Sequence, residues 1–285
     1  MTTANPPGIV ADSSAAALAA QLGEVWDSLV ELGAGLSDQD WDLLTPCPGW
    51  SVTAQFAHMI GTESVLAGRP NPEVPVGEAA HVRNRIGEIN EAWVVHLVTK
   101  PRSEVLELFA EVTSQRRRSL AGMSEEEFSA ESWTPVGKAD YRRFMQIRVF
   151  DCWVHEQDIR DAIGRPGHES GPAAEQALDE IVRAAGYLVG KKAAAPAGSS
   201  VRIALTGPLG RRVDVSVADG RAKVVEELPG EPTATLTLGS SAFVRLACGR
   251  LDPSAVLSEG RLGGVVLDGD RELGRRVIEN LAFTI

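Results

Sequence analysis

Apolar residues recur at helical spacing through about the first 190 positions and at alternating positions after that. The Ala-rich stretch 12–35 carries Leu18, Leu22, Val25 and Leu29 on one face, a buried helical stripe. Ser37-Asp-Gln-Asp40 has the form of a capping box before a short turn at Trp41. Thr45-Pro-Cys-Pro-Gly-Trp-Ser51 cannot continue a helix, because two prolines and a glycine interrupt the hydrogen-bond ladder. Ser51 is placed to N-cap a helix over 52–67, which Gly68 and Pro70 end. The same signals predict helices at 79–98, 103–121, 139–163 and 171–189, with Pro101 between the first two and a second capping box at Ser124-Glu-Glu-Glu127. Long helices joined by short breaks predict an up-and-down four-helix bundle.

Residues 190–200, rich in Ala, Gly, Ser and Lys, read as a linker. Beyond it, 201–205, 212–217 and 233–238 alternate with period two, and Gly207-Pro-Leu-Gly210 and Asp219-Gly220 supply turns. Short helices are predicted at 240–249 and 270–281, with a strand at 262–267. The expected organisation is a helical bundle over 1–189, a linker over 190–200 and a small α+β domain over 201–285.

Composition narrows the function. The 285 residues are 44% hydrophobic and 24% charged, an ordinary globular balance. The net charge of −11 opposes binding of nucleic acid through its phosphates and docking on an anionic membrane surface. Residues 201–285 hold 11 basic and 11 acidic side chains, so the whole excess lies before them. Cys47, Cys152 and Cys248 are too few and too scattered for a disulfide framework, which points to a reducing cytoplasm. The N-terminal segment has no basic stretch of the signal-peptide kind, and no apolar run reaches the ~18 residues of a membrane span.

Two of the five histidines sit in strongly patterned helices. His58 lies among Phe56, Met59 and Ile60. His155 lies four residues after Asp151, so both side chains leave the same helix face. An imidazole and a carboxylate at that spacing can grip a divalent metal, and His58 from a facing helix can complete a site with two histidines and one carboxylate. Three protein ligands with an open position is the pattern of catalytic zinc. From spacing alone, the default for the same residues is a helix-surface pair and a satisfied core histidine. Asp158 can accept from the His155 ring or pair with Arg148 or Arg160. Cys47 reads as packing in a structural turn, or as a thiol made reactive by a helix N-terminus. Cys152 reads as packing, and Arg116-Arg-Arg118 as a solvated helix face. Trp50 and Trp153 are candidate pocket walls, and Arg245, Arg250 and Arg261 are candidates for holding an acidic substrate.

Leu44-Thr-Pro-Cys-Pro-Gly-Trp-Ser-Val-Thr53 with Ala57-His58 resembles the N-terminal signature of the mycothiol-dependent maleylpyruvate isomerase family. Trp153-Val-His-Glu-Gln-Asp-Ile-Arg-Asp-Ala-Ile-Gly-Arg-Pro166 is similar to a second family segment. Leu267-Asp-Gly-Asp-Arg-Glu-Leu-Gly274 and Asn280-Leu-Ala-Phe-Thr284 are similar to its C-terminal domain. The resemblance implies a DinB-like four-helix bundle followed by a small α+β sterol-carrier-like domain. It implies a divalent metal, usually zinc, on His58, Asp151 and His155, with Asp151 standing where the family typically has Glu. It also implies mycothiol, the small thiol of actinobacteria, as cosubstrate.

The first expectation is therefore a mycothiol-using metalloenzyme that transfers the thiol sulfur to a small electrophile. One alternative is maleylpyruvate isomerisation to fumarylpyruvate by reversible thiol addition. The other is a non-catalytic module that binds an apolar small molecule. The sequence names neither the electrophile nor the oligomeric state.

Overall fold

Ser14 accepts a hydrogen bond from the Ala17 amide and starts α1 (Ala15–Ala34), whose Leu18, Leu22, Val25 and Leu29 are fully buried as their spacing predicts. The computed structural model describes residues 6–77, 81–258 and 264–284. It divides into two compact units, Asp12–His168, and Glu169–Ile285 together with Met1–Ala11.

In the first unit, Ser37 and Asp40 close the expected capping box on α2 (Asp38–Trp41). Ser51 caps α3 (Val52–Leu66), and α4 (Arg85–Leu97) follows Asn84, later than the expected start at 79, in a stretch that includes residues 78–80 outside the described set. Next come α5 (Arg102–Ala121), the capping-box helix α6 (Glu125–Phe128) and α7 (Tyr141–Ala162). Both α1 and α3 pack on α5 and α7, closing the expected four-helix ring, and α4 lies against α3. Fully buried Phe56 lies between Trp41, tilted against it with ring centroids 4.8 Å apart, and Phe109, edge-on at 5.3 Å. An antiparallel hairpin of β1 (Glu131–Thr134) and β2 (Gly137–Asp140) precedes α7, where no strand was expected.

The second unit holds a five-stranded sheet. Its strands are β3 (Ser200–Thr206), β4 (Arg212–Ala218), β5 (Arg221–Val225), β6 (Ala234–Gly239) and β7 (Val266–Gly269), in the order β5-β4-β3-β6-β7. Only the β3–β6 pairing is parallel. Helices α9 (Ser240–Ala247), α10 (Pro253–Leu257) and α11 (Arg271–Glu279) complete it; α9 and α11 match expected helices, and part of the expected 262–267 strand lies outside the described residues.

The expected break at 190–200 differs from this division. Helix α8 (Pro172–Tyr187), expected in the bundle, packs on β4 and β5 in the second unit. The packing is close: a Cβ at Gly186 or Gly190 would lie 2.7 or 2.6 Å from Ala222 atoms. Leu188–Lys192 forms a π-helical turn, and Ala193 and Ala195 are buried, so much of the expected linker is packed chain. Buried Asp179 on α8 accepts from the Val10 and Ala11 amides at 3.0 and 2.8 Å and pairs with Arg211. Among the described residues, no helix is long and apolar enough to cross a membrane.

Candidate metal centre

The turn before α3 is built by its own polar groups. The Thr45 hydroxyl donates to the Trp50 carbonyl at 2.9 Å and accepts from the Cys47 amide, while Gly49 takes φ 82°, a left-handed conformation that suits glycine. A Cβ at position 49 would also meet His81 Nδ1 at 2.6 Å. Ser51 then accepts from the Ala54 amide, and His58 is carried two turns into α3 on a buried face. On α7, Arg148, Asp151 and His155 follow one another at i, i+3 and i+7, so all three leave one face.

These elements bring His58, Asp151 and His155 together. His58 Nε2 lies 3.1 Å from Asp151 Oδ2, and His155 Nε2 lies 3.5 Å from Asp151 Oδ1. One potential ligand atom from each lies within 4.8 Å of the others. Bonds of ~2.0–2.1 Å to a tetrahedral ion place neighbouring ligand atoms about 3.3 Å apart, so the two histidine–carboxylate separations fit such an ion. The imidazoles are nearly buried, and His58 Nδ1 is buried with no hydrogen-bond partner among the described residues.

The local electrostatics separate the two histidines. Burial lowers the His58 pKa, favouring the neutral ring a metal requires; Asp151 opposes this only in part. Burial also works against a charged His155, but Asp151 and Asp158 outweigh it and raise its pKa. Asp151 is itself held well below the usual carboxylate range: burial opposes the charge, and His58, Arg148 and His155 overcome it.

Asp158 is buried, with Oδ2 3.3 Å from His155 Nδ1, so of its candidate partners it faces the ring. Cys47 is half-buried and forms a second close group with His155 and Asp158. Cys152 is packed, and burial pushes its thiol up to about 12. The Trp50 ring lies 4.9 Å from the His58 ring and 5.7 Å from the His155 ring, forming a wall of the site. Trp153 is instead buried and donates to the His168 carbonyl at 2.8 Å. Arg250 donates to the Cys248 carbonyl, Arg245 lies on α9, and Arg261 is outside the described residues.

Arg116–Arg118 is only in part the solvated face expected of it. Arg116 is buried, because it shares a face of α5 with Val105, Phe109, Val112 and Leu120. Its Nε donates to Glu63 Oε2 at 3.0 Å and its Nη2 to the Tyr141 hydroxyl at 2.8 Å. Arg117 and Arg118 remain on the outer face. Sequence reasoning also passed over Glu63 and the pairing of Arg148 with Asp151. The i, i+3 spacing on α7 signals the second; nothing local signals the first. It missed Glu91 as well, whose Oε2 accepts from Trp50 Nε1 at 3.3 Å and faces His81 Nε2 at 2.8 Å.

Two histidines and a carboxylate converging between two helices of a four-helix bundle is the arrangement from which bundle proteins build metal sites. The family model described as Mycothiol maleylpyruvate isomerase N-terminal domain matches residues 22–160, and the MDMPI C-terminal domain matches residues 175–276. The chain belongs to the mycothiol maleylpyruvate isomerase family, a family of enzymes. Crystal structures of the mycothiol-dependent maleylpyruvate isomerase and of a single-site mutant share the fold. Both have a TM-score of 0.54, at 16% and 15% identity, over 88% of this chain and 91% of theirs. Two uncharacterised proteins of Mycobacterium tuberculosis are 26% identical over 140 residues, 48% of this chain. The match spans 53% of those relatives, about half their length.

Proposed function

We propose that the protein is a metal- and mycothiol-dependent isomerase acting on a small unsaturated acid of the maleylpyruvate type. The observation that carries this reading is the convergence of His58 Nε2 and His155 Nε2 on the Asp151 carboxylate, at 3.1 and 3.5 Å. His58, Asp151 and His155 would hold one divalent ion, zinc being the first candidate for two imidazoles and a carboxylate. When bound, such an ion supplies Lewis acidity that makes a thiol at its open position acidic near neutral pH.

The chain's own residues set up that chemistry. Burial keeps the His58 ring neutral. Asp158 faces His155 Nδ1 and so directs Nε2 toward the centre. Trp50 walls the site beside both imidazoles and limits the approach of water. The thiol sulfur adds to the carbon–carbon double bond, and the neighbouring carbon gains a proton. Rotation about the resulting single bond, then loss of the same thiol and proton, yields the trans isomer with no net redox change.

The family match favours this closed cycle over net sulfur transfer, in which the adduct is released. The test is turnover of maleylpyruvate by metal-loaded protein, with and without mycothiol, followed by product mass and NMR. Fumarylpyruvate with mycothiol recovered unchanged supports isomerisation, and accumulation of a stable conjugate supports S-transfer. Metal-free protein working as fast as loaded protein sinks both, and binding without turnover would leave a non-catalytic module.

A further inference from the structure

Behind Asp151 lies a buried chain of charges that the proposed reaction does not use. Glu63, fully buried on α3, has a guanidinium on each oxygen. Arg148 Nε and Nη2 donate to Oε1 at 3.0 and 2.8 Å, and Arg116 Nε donates to Oε2 at 3.0 Å. Arg148 is thus anchored on one edge, and its remaining Nη1 donates to Asp151 Oδ2 at 2.6 Å. Two carboxylates and two guanidiniums balance in charge, which a buried cluster needs, since an uncompensated buried ion is strongly destabilising. The planar guanidinium adds direction, because one edge faces Glu63 while Nη1 faces Asp151.

We infer that Arg148 is a positioning residue: its hydrogen bond to Oδ2, the oxygen that His58 Nε2 also faces at 3.1 Å, fixes the rotation of the Asp151 carboxylate relative to the two imidazoles. This rests on the metal-centre reading above. A carboxylate free to rotate can chelate through two oxygens or swing away. Asp151 has a short arm and is partly exposed, so α7 alone does not fix its rotation. The anchor for that rotation comes from α3 through Glu63, the helix that also carries His58. The bundle thereby couples His58 on one helix to the carboxylate orientation on the other.

The test is metal binding to the full chain, stripped of metal and titrated with zinc against a chromophoric chelator, with the visible spectrum of the cobalt(II) form as a report on coordination. Arg148→Met should weaken zinc binding by about 10–100-fold, the usual effect of losing a group that orients a metal ligand. It should also change the cobalt band, and Arg148→Lys should recover part of both. Because Arg148 acts through Asp151, Arg148→Met should add little in an Asp151→Asn background. A purely structural role would lower the melting temperature but leave the cobalt spectrum unchanged and the two losses additive.

If Arg148→Met does not fold, the charge-balanced pair Glu63→Gln with Arg148→Met carries the same comparison. Wild-type zinc affinity and cobalt spectrum in either folded variant would overturn the inference, as would full additivity. Zinc uptake by the wild type that His58→Ala abolishes, together with an unchanged Arg148→Met, overturns the positioning role alone. No uptake by the wild type overturns the metal centre as well.

Discussion

His168 Nδ1 lies 2.7 Å from Oε2 of Glu156, a fully buried carboxylate on α7. His168 has left-handed backbone (φ 53°), and its Nε2 also reaches Glu24 on α1 at 3.0 Å. Glu156 is shared further: the Ser28 hydroxyl donates to it at 2.6 Å and Arg160 Nε at 2.8 Å. The cluster ties α1 to α7 on the same helix turn that carries His155.

That cluster predicts a pH dependence of stability. The hydrogen bond to Glu156 raises the His168 pKa; partial burial opposes it, and Glu24 adds to the rise. A raised native pKa means the stabilisation is fully present below the unfolded value of about 6.5 and is lost as pH climbs through the higher native value. All six tryptophans lie between residues 26 and 153, so their fluorescence follows the first unit alone. The gap in fluorescence-detected melting temperature between wild type and His168→Gln should be widest near pH 6 and narrow toward pH 9. A gap that does not change with pH would remove the cationic His168 from the account.

The three converging side chains predict graded losses of metal. His58→Ala and His155→Ala should each lower zinc affinity by orders of magnitude, since only three protein ligands are available. Asp151→Asn should weaken binding because a neutral amide is a poorer ligand, while Asp151→Glu should retain metal and part of the activity. Asp158→Asn should cost about 10–100-fold through loss of its hold on the His155 ring. Metal content by mass spectrometry and chelator competition read all five variants. Stoichiometric zinc in both histidine variants would show that the site is misassigned.

Gly49 predicts how tightly the turn before α3 is specified. Its φ is 82°, and an added Cβ would lie 2.6 Å from His81 Nδ1. Gly49→Ala should destabilise the first unit by about 1–2 kcal/mol through left-handed strain alone, and His81 must move as well. Trp50 shares Glu91 with His81, so the wall beside the histidines should shift with it. Urea unfolding and the Trp50 indole signal in NMR check this; unchanged stability and an unmoved indole would refute it.

What the chain reveals about itself divides along local and long-range lines. The capping boxes at Ser37 and Ser124, the Ser51 cap and the stripe on α1 are short-range patterns, and they place α1 and α3 to within a few residues. The pair Asp151 and His155 is legible for the same reason. The hairpin Glu131–Asp140 escaped because its strands are four residues each and largely exposed, leaving no apolar alternation to read. The membership of α8 escaped because an amphipathic helix does not name its partner; close approach at Gly186 and Gly190 decides it. Arg116 was misread because a basic triplet suggests a solvated face, although its spacing from Phe109, Val112 and Leu120 puts it inside. Its partner Glu63 lies 53 positions away, and pairing over that distance leaves no sequence signature.

The division of the chain makes a final prediction. Asp179 is fully buried on α8 and is met by the Val10 and Ala11 amides and by Arg211, whose Nη1 also reaches the Gly8 carbonyl at 3.2 Å. Residues 8–11 therefore belong with the second unit although they precede the first in sequence. Asp179→Ala takes the carboxylate from a part-buried guanidinium and removes the side chain that accepts from two amides, a loss on the order of 3 kcal/mol. Deleting residues 1–11 removes the two amides and the Gly8 carbonyl but keeps the Asp179–Arg211 pair, so it should cost less and in the same direction. Combined, the two changes should cost less than the sum of their separate effects, because they remove shared contacts. Calorimetry should show the loss, while the tryptophan-detected transition of the first unit stays in place. A deletion that leaves every calorimetric transition unmoved would show that the N-terminal segment contributes nothing to the second unit.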